Sequence, residues 1–273
     1  MKKSDHPSDS KVITNQNKKQ KQDGIITGSG IKSCSFIKKL KIGLILTRTP
    51  RPSNIAIVMA TVYIIRHGET EWNLKGIHQG HMDSKLTEKG EEQAKDLGNR
   101  FLNSGISFDA IYSSDLGRAL KTAEQICIPI EQEKIIQKEH SLRERSLGHI
   151  EGLTYQDLAD QMPKDYKQHV SGDPDYRPEG GESWRDFFNR AESSLKEIAL
   201  QHIDEQILCV THGGFVSMAL RFCLNINLQD KRRFSIPNTA VNVFEFHPED
   251  SWRLRTWGDI SHFKNGKILD EML

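Results

Sequence analysis

The chain has 273 residues, 38 Lys+Arg against 37 Asp+Glu, and 36% hydrophobic and 7% aromatic residues. That size and mixture suit one medium domain, or a domain with an appendage, and exclude a collagenous, membrane-spanning or wholly disordered chain. The net charge of +1 conceals a split, because residues 1–58 hold 12 basic and 3 acidic residues whereas residues 59–273 hold 26 basic and 34 acidic. A +9 segment therefore precedes a −8 segment.

Residues 1–58 contain no Glu, a single aromatic residue (Phe36) and a polar run before Gly24. Such a stretch buries too little apolar area to offset its ordering entropy. It reads as a basic, disordered N-terminal extension, or as sequence upstream of a true start at Met59. The apolar run Ile42–Leu46 is too short for a secretory signal, and two arginines, Arg48 and Arg51, are few for a transit peptide. The lysine clusters around Lys19 and Lys39 lack interleaved aromatics, so neither nucleic acid nor a membrane is expected as a partner. The four cysteines show no CxxC spacing, and no stretch of about 18 apolar residues occurs, so a cytoplasmic protein without disulfides is expected.

From Met59 onward the pattern changes. Thr61–Ile65 is β-branched and aromatic almost throughout, as in a strand buried on both faces, and stops at Arg66-His67-Gly68. Thr87 can cap a helix with Ala94, Leu97, Phe101 and Leu102 on one face. A strand at Phe108–Tyr112 leads into Ser113-Ser114-Asp115, which offers caps for a helix carrying Leu116, Ala119, Leu120, Ala123 and Ile126 and stopped by Pro129. A short strand is predicted at Lys134–Gln137, then a loop-rich region through Pro178 with one or two short helices around Leu153–Met162. A long amphipathic helix at Glu182–Gln201 presents Trp184, Phe187, Phe188, Ala191, Leu195, Ile198 and Ala199 as a core stripe. A strand at Gln206–Val210, a helix at Gly213–Leu224 and strands at Val241–Phe246 and Trp252–Trp257 complete the series. This alternation predicts an α/β three-layer sandwich with a mainly parallel sheet flanked by helices.

Ligands of such folds gather at the carboxyl ends of parallel strands. Three polar groups stand where a predicted strand runs out: Arg66-His67-Gly68, Ser113-Ser114-Asp115 with Arg118 beyond it, and Thr211-His212-Gly213-Gly214. Two histidines and two arginines over an apolar sheet suit an anionic guest, since guanidinium grips phosphate through paired donors and a helix start adds backbone N–H groups.

The blocks Arg66-His67-Gly68-Glu69-Thr70 with Trp72-Asn73, Gly76-x-x-Gln79-Gly80-x-x-Asp83, Ser113-Ser114-x-x-x-Arg118, Leu142-Arg143-Glu144 with Gly148-x-x-Glu151-Gly152, Gly180-Gly181-Glu182-Ser183, and Thr211-His212-Gly213 together resemble the histidine phosphatase superfamily, with its phosphoglycerate mutase-like fold. The likeness spans residues 59–273 and is greatest to the broad-specificity phosphatase and alpha-ribazole phosphatase branch. It implies that His67 is the nucleophile forming a phosphohistidine, that Glu144 is the general acid/base, and that Arg66, Arg118, His212, Asn73, Gln79, Gly80 and the Gly213 amide hold the phosphate. No cofactor and no metal are expected, because the arginines already supply the positive charge. His78 and His81 near His67 suggest a metal, but no third ligand lies at characteristic spacing. Glu144 sits in a charged run, Arg143–Arg145, which a solvated surface would equally produce. Ile77 and Lys85 depart from the family pattern, and Ile77 removes a basic contact to a second anionic group. The resemblance implies a phosphomonoester hydrolase acting on a small phosphorylated metabolite. The alternatives are a phosphoglycerate mutase using the same histidine and a non-catalytic phosphate- or partner-binding module. Nothing in the sequence assigns an oligomeric state.

Overall fold

The computed structural model describes residues 58–249 and 251–263, so the basic extension lies outside the described residues save for Val58. In chain order the elements are β1 (Ala60–Arg66), α1 (Glu71–Lys75), α2 (Glu88–Asn103), β2 (Ala110–Ser113), α3 (Gly117–Cys127), β3 (Ile136–Lys138), α4 (Tyr155–Gln161), α5 (Pro163–His169), α6 (Trp184–Gln201), β4 (Gln206–Thr211), α7 (Gly213–Leu224), β5 (Val241–His247) and β6 (Ser251–Asp259).

The strands form one sheet in the order β3-β2-β4-β1-β5-β6. The first four are parallel, while at one side β5 pairs antiparallel with β1 and β6 antiparallel with β5. Period-two alternation assigns each strand residue to one of two cores. Val62 and Ile64 of β1 and Cys209 of β4 pack with Phe187, Leu195, Phe215 and Met218 beneath α6 and α7. Ile65, Leu208 and Val210 pack with Leu97, Phe101, Ala119 and Ile126 beneath α2 and α3. With both faces covered, β1 and β4 read as nearly unbroken apolar runs. A third, small cluster of Leu147, Ile150 and Leu158 supports the 143–182 segment that carries α4 and α5.

The register aligns the strand ends that matter. Arg66 lies opposite Thr211, and Ser113 lies opposite Val210. The three polar groups singled out in the sequence therefore emerge on one rim.

Local differences have local causes. Leu102 is 54% exposed, off the buried stripe of α2. The α3 helix is not capped by Ser113, Ser114 or Asp115; its N-cap is Leu116, without a side-chain bond. Ser113 belongs to β2, Ser114 Oγ meets His212 Nε2 at 2.8 Å, and Asp115 takes two 2.6 Å hydrogen bonds from Arg143. The short strand after α3 starts later than expected, because a 3-10 turn occupies Glu133–Ile135.

Candidate active site

At the end of β1 the chain turns out of the sheet under dense backbone control. His67 N–H donates to Thr211 O (2.8 Å), Thr239 N–H to Arg66 O (3.0 Å) and Asn238 Nδ2 to His67 O (2.8 Å). Gly68 N–H donates to Thr122 Oγ1 (2.9 Å), whose own hydroxyl reaches Arg118 O (2.7 Å). A Cβ on Gly68 would stand 2.5 Å from Gly90 O, so α2 approaches this turn as closely as two bare backbones allow.

His67 is 3% exposed, and its Nδ1 lies 2.8 Å from Gly68 O. That contact selects the tautomer with the proton on Nδ1 and leaves the Nε2 lone pair unengaged by the described residues. Burial first, then the charges of Arg118 and Arg66, hold its pKa well below that of a free imidazole, against a smaller opposing effect of the Gly68 carbonyl. His212 is fully buried, with its ring centroid 5.3 Å from that of His67. Its pKa is likewise depressed, by burial and then by Arg118, His67, His81 and Arg66. Both rings are neutral.

Arg118 is 2% exposed and does not pair with Asp115. Its Nη1 donates to Met82 O (2.7 Å) and Asp83 Oδ1 (3.0 Å), and its Nη2 to Gly80 O (2.8 Å). Burial favours pairing of guanidinium N–H groups, and through Nη1 and Nη2 Arg118 both charges the site and fixes the 80–83 loop. Gly80 has φ 50°, and a Cβ there would meet Glu151 Oε1 at 2.2 Å. Arg66 donates from Nη1 to Ile236 O (2.8 Å). Asn73 closes a capping box with Thr70 through its Oδ1, leaving Nδ2 without a partner among the described residues. Gln79 bonds Thr70 Oγ1 from Nε2 (3.0 Å) and accepts from Ser84 Oγ (3.2 Å), so it braces the loop.

Glu144 is not a solvated surface residue. Its Oε2 accepts from Gly214 N–H (2.9 Å) in the first turn of α7, and its Oε1 from Arg145 N–H (2.9 Å). Gly213 lies between His212 and this contact, where a Cβ would come within 3.2 Å of Arg66 Nε. The site thus brings His67, His212, Arg66, Arg118, Gly213 and Glu144 to one rim. His78 and His81 do not converge on a metal position: His78 Nδ1 meets Leu153 O and His81 Nε2 meets Glu144 O.

Several contributors carried no local sequence signal. Arg190 of α6 makes five side-chain hydrogen bonds, to Ser141 O, Arg143 O, Glu144 O and both Glu182 carboxylate oxygens. It fixes the backbone that carries Glu144, yet in sequence it is one polar position of an amphipathic helix. Asn238 was detectable only as part of a Pro-Asn turn.

Residues 62–260 match the family described as the histidine phosphatase superfamily (branch 1). Phosphoglycerate mutase-like protein 4 of Arabidopsis thaliana is 37% identical over 212 residues, 77% of this chain and 90% of that protein. The metal-independent phosphoserine phosphatase of the same plant is 34% identical over 206 residues, 75% and 83% of the two chains. Among solved structures, Bacillus stearothermophilus YhfR superposes with TM-score 0.68 at 32% identity, covering 74% of this chain and 98% of its own. The phosphoserine phosphatase of Entamoeba histolytica in complex with 3-phosphoglyceric acid does so with TM-score 0.65 at 30% identity, over 74% and 98%.

Proposed function

The chain belongs to the histidine phosphatase superfamily, and from that premise we propose that it hydrolyses phosphomonoesters through a phosphohistidine at His67. The observation that carries this reading is the state of His67: buried, neutral, tied at Nδ1 to Gly68 O, with Nε2 open beside two buried arginines. A neutral imidazole has the lone pair a nucleophile needs, and the arginines disfavour its protonation.

In the first step Nε2 of His67 bonds to phosphorus as the bond from phosphorus to the ester oxygen breaks. Glu144 delivers a proton to the departing oxygen. Arg66, Arg118, His212, the Asn73 amide and the Gly213 N–H balance charge on the non-bridging oxygens. In the second step Glu144 takes a proton from water as its oxygen attacks phosphorus. The P–N bond breaks, and inorganic phosphate leaves with His67 restored. Each Glu144 oxygen accepts one backbone N–H and keeps a lone pair for the proton it carries.

The test is phosphate release from 4-nitrophenyl phosphate and a panel of small phosphomonoesters, beside a His67→Ala control. Turnover lost in the control, with a trapped phosphohistidine in the native enzyme, is the expected result. Turnover that persists in the control overturns the assignment of His67, and a trapped phosphohistidine excludes a non-catalytic module. Because relatives named for mutase and for phosphatase activity match at similar identity, a second reading is a phosphoglycerate mutase using the same histidine. Interconversion of 2- and 3-phosphoglycerate that exceeds phosphate release and depends on a bisphosphate primer would favour it.

A further inference from the structure

The segment that returns from α7 to β5 grips the Arg66-His67 turn at three points. Arg66 Nη1 donates to Ile236 O (2.8 Å), Asn238 Nδ2 to His67 O (2.8 Å) and Thr239 N–H to Arg66 O (3.0 Å). The peptide groups on both sides of the His67 Cα are thereby held by one short stretch of chain. Ile236, Asn238 and Thr239 are each 3% exposed or less, so water does not readily replace a lost bond.

Thr239 has φ 55°, in the left-handed region that β-branched residues rarely enter because Cβ crowds the following carbonyl. A glycine would take this conformation without strain. Strained positions of this kind persist only where their surroundings over-determine them, and they cluster at functional sites. Local preference therefore does not hold Thr239 in place; its contacts do.

The side chain supplies one of those contacts. Thr239 Oγ1 lies 3.2 Å from Nε2 of His262, 23 positions later in the chain and 6% exposed. His262 is anchored just beyond the end of β6. Arg100 of α2 donates from Nη2 to Asp259 Oδ2 (2.5 Å), Ser261 N–H to Asp259 Oδ1 (3.0 Å) and Phe263 N–H to Ile260 O (2.9 Å). Burial first, then the charge of Arg100, brings the pKa of His262 down to about 4, against the opposing effects of Asp259 and Asp96. At neutral pH the ring is uncharged and meets the Thr239 hydroxyl as a neutral partner.

We propose that Thr239 and His262 are positioning residues for phosphoryl transfer: His262 holds the Thr239 hydroxyl, which sets the Thr239 N–H on Arg66 O and so places His67 Nε2 and the Arg66 guanidinium. The inference rests on the hydrolase reading and makes the segment after β6 part of what aims the nucleophile. A glycine at 239 would remove the strain together with the hydroxyl through which His262 acts. The kinetic signature differs from that of a group that places the proton donor. Poor proton delivery spares esters whose leaving group departs unaided, whereas a displaced Nε2 slows attack on every ester.

The test compares kcat/KM of the full chain and its variants on 4-nitrophenyl phosphate and on an alkyl phosphate such as glycerol 3-phosphate. Thr239→Val removes the hydroxyl with little change of shape, and His262→Leu removes its partner. Each should lower kcat/KM by about 10- to 100-fold, and by similar factors on the two esters, since a displacement of about 1 Å can cost about 100-fold. The double variant should be no worse than the weaker single one, because both changes remove one interaction, and Thr239→Ser, which keeps the hydroxyl, should stay within about 3-fold of native. Thr239→Gly takes φ 55° without strain, so it should fold even where the valine variant does not, and should lose activity as that variant does. Urea midpoints give the folded fraction, which would account for the whole loss if the pair were merely structural. Losses that multiply in the double variant, a loss confined to the alkyl ester, a serine variant as impaired as the valine one, or kcat/KM within about 2-fold of native in Thr239→Gly or His262→Leu overturns the proposal and leaves the hydrolase reading intact. Failure of the native enzyme to turn over 4-nitrophenyl phosphate above the His67→Ala control would instead refute the hydrolase reading and this inference with it.

Discussion

Arg190 gives the sharpest test of how the scaffold governs the chemistry. Its five hydrogen bonds gather the carbonyls of Ser141, Arg143 and Glu144 and the Glu182 carboxylate. Both partners of the Arg190–Glu182 pair are about one-fifth exposed (21% and 22%), so the full penalty for breaking a buried pair is not expected. Replacement by Met should cost about 2–4 kcal/mol of stability. The larger effect should be on proton delivery, because misplacing a catalytic group by about 1 Å can cost about 100-fold. The parameter to read is kcat/KM, which reports formation of the phosphohistidine and is blind to its later hydrolysis. For an alkyl phosphate, whose leaving oxygen needs the proton from Glu144, kcat/KM should fall about 100-fold. For 4-nitrophenyl phosphate, whose phenolate departs without that help, it should fall only about 5-fold or less. Equal losses on the two esters, with the urea midpoint lowered as expected, would show that Arg190 stabilises the fold without placing Glu144, and would refute the reasoning.

Stability should fall with acid below about pH 6.5. His67 and His212 have folded pKa values well below their unfolded ones, so between those values the unfolded chain binds protons that the native chain does not. Their contribution is therefore complete above the unfolded pKa and is lost as pH falls toward the folded one, with a slope of up to about 2.7 kcal/mol per pH unit for the pair. Urea midpoints from pH 7 to pH 4.5 measure it, and a His212→Asn variant should show about half the slope; an unchanged slope in that variant contradicts the assignment. Gly68→Ala forces a methyl to within 2.5 Å of Gly90 O, which should cost about 1–3 kcal/mol and reduce turnover by shifting His67. A stable, fully active alanine variant would show that α2 can move away from the turn freely.

Much of the fold was legible because its signals are local. The buried strands β1 and β4 are almost uninterrupted apolar runs, and α6 and α7 carry stripes with a Ser cap or a His-Gly-Gly start. The candidate rim was legible because three strand ends carry charged or polar residues that no core would tolerate. The remainder depends on contacts distant in sequence. None of Ser113, Ser114 and Asp115 is the N-cap of α3, and the Ser114 hydroxyl instead meets Nε2 of His212, 98 positions later. Arg118 was singled out only through the strand-end pattern and the family resemblance; nothing local in sequence shows that its acceptors come from the loop 35 to 38 residues earlier. Arg143 and Arg145 flank Glu144 in one charged run, but Arg143 is a partly exposed partner of Asp115 and Arg145 is buried. Alternation along an irregular segment does not encode which neighbour faces inward.

The charge split gains a physical meaning from this arrangement. A segment of net charge −8 that takes an anionic substrate cannot rely on its average field, which at physiological salt is screened over about 8 Å. On the proposed reading it relies on Arg66 and Arg118, each 4% exposed or less. Burial lowers the pKa of Arg118, which still leaves it charged at neutral pH. Because these cations are dehydrated already, an arriving phosphate meets a strong local potential, and little solvent must be reorganised around the protein's donors. The acidic exterior repels polyanions while the rim accepts a small one, so anion binding and net negative charge are compatible properties of the same domain.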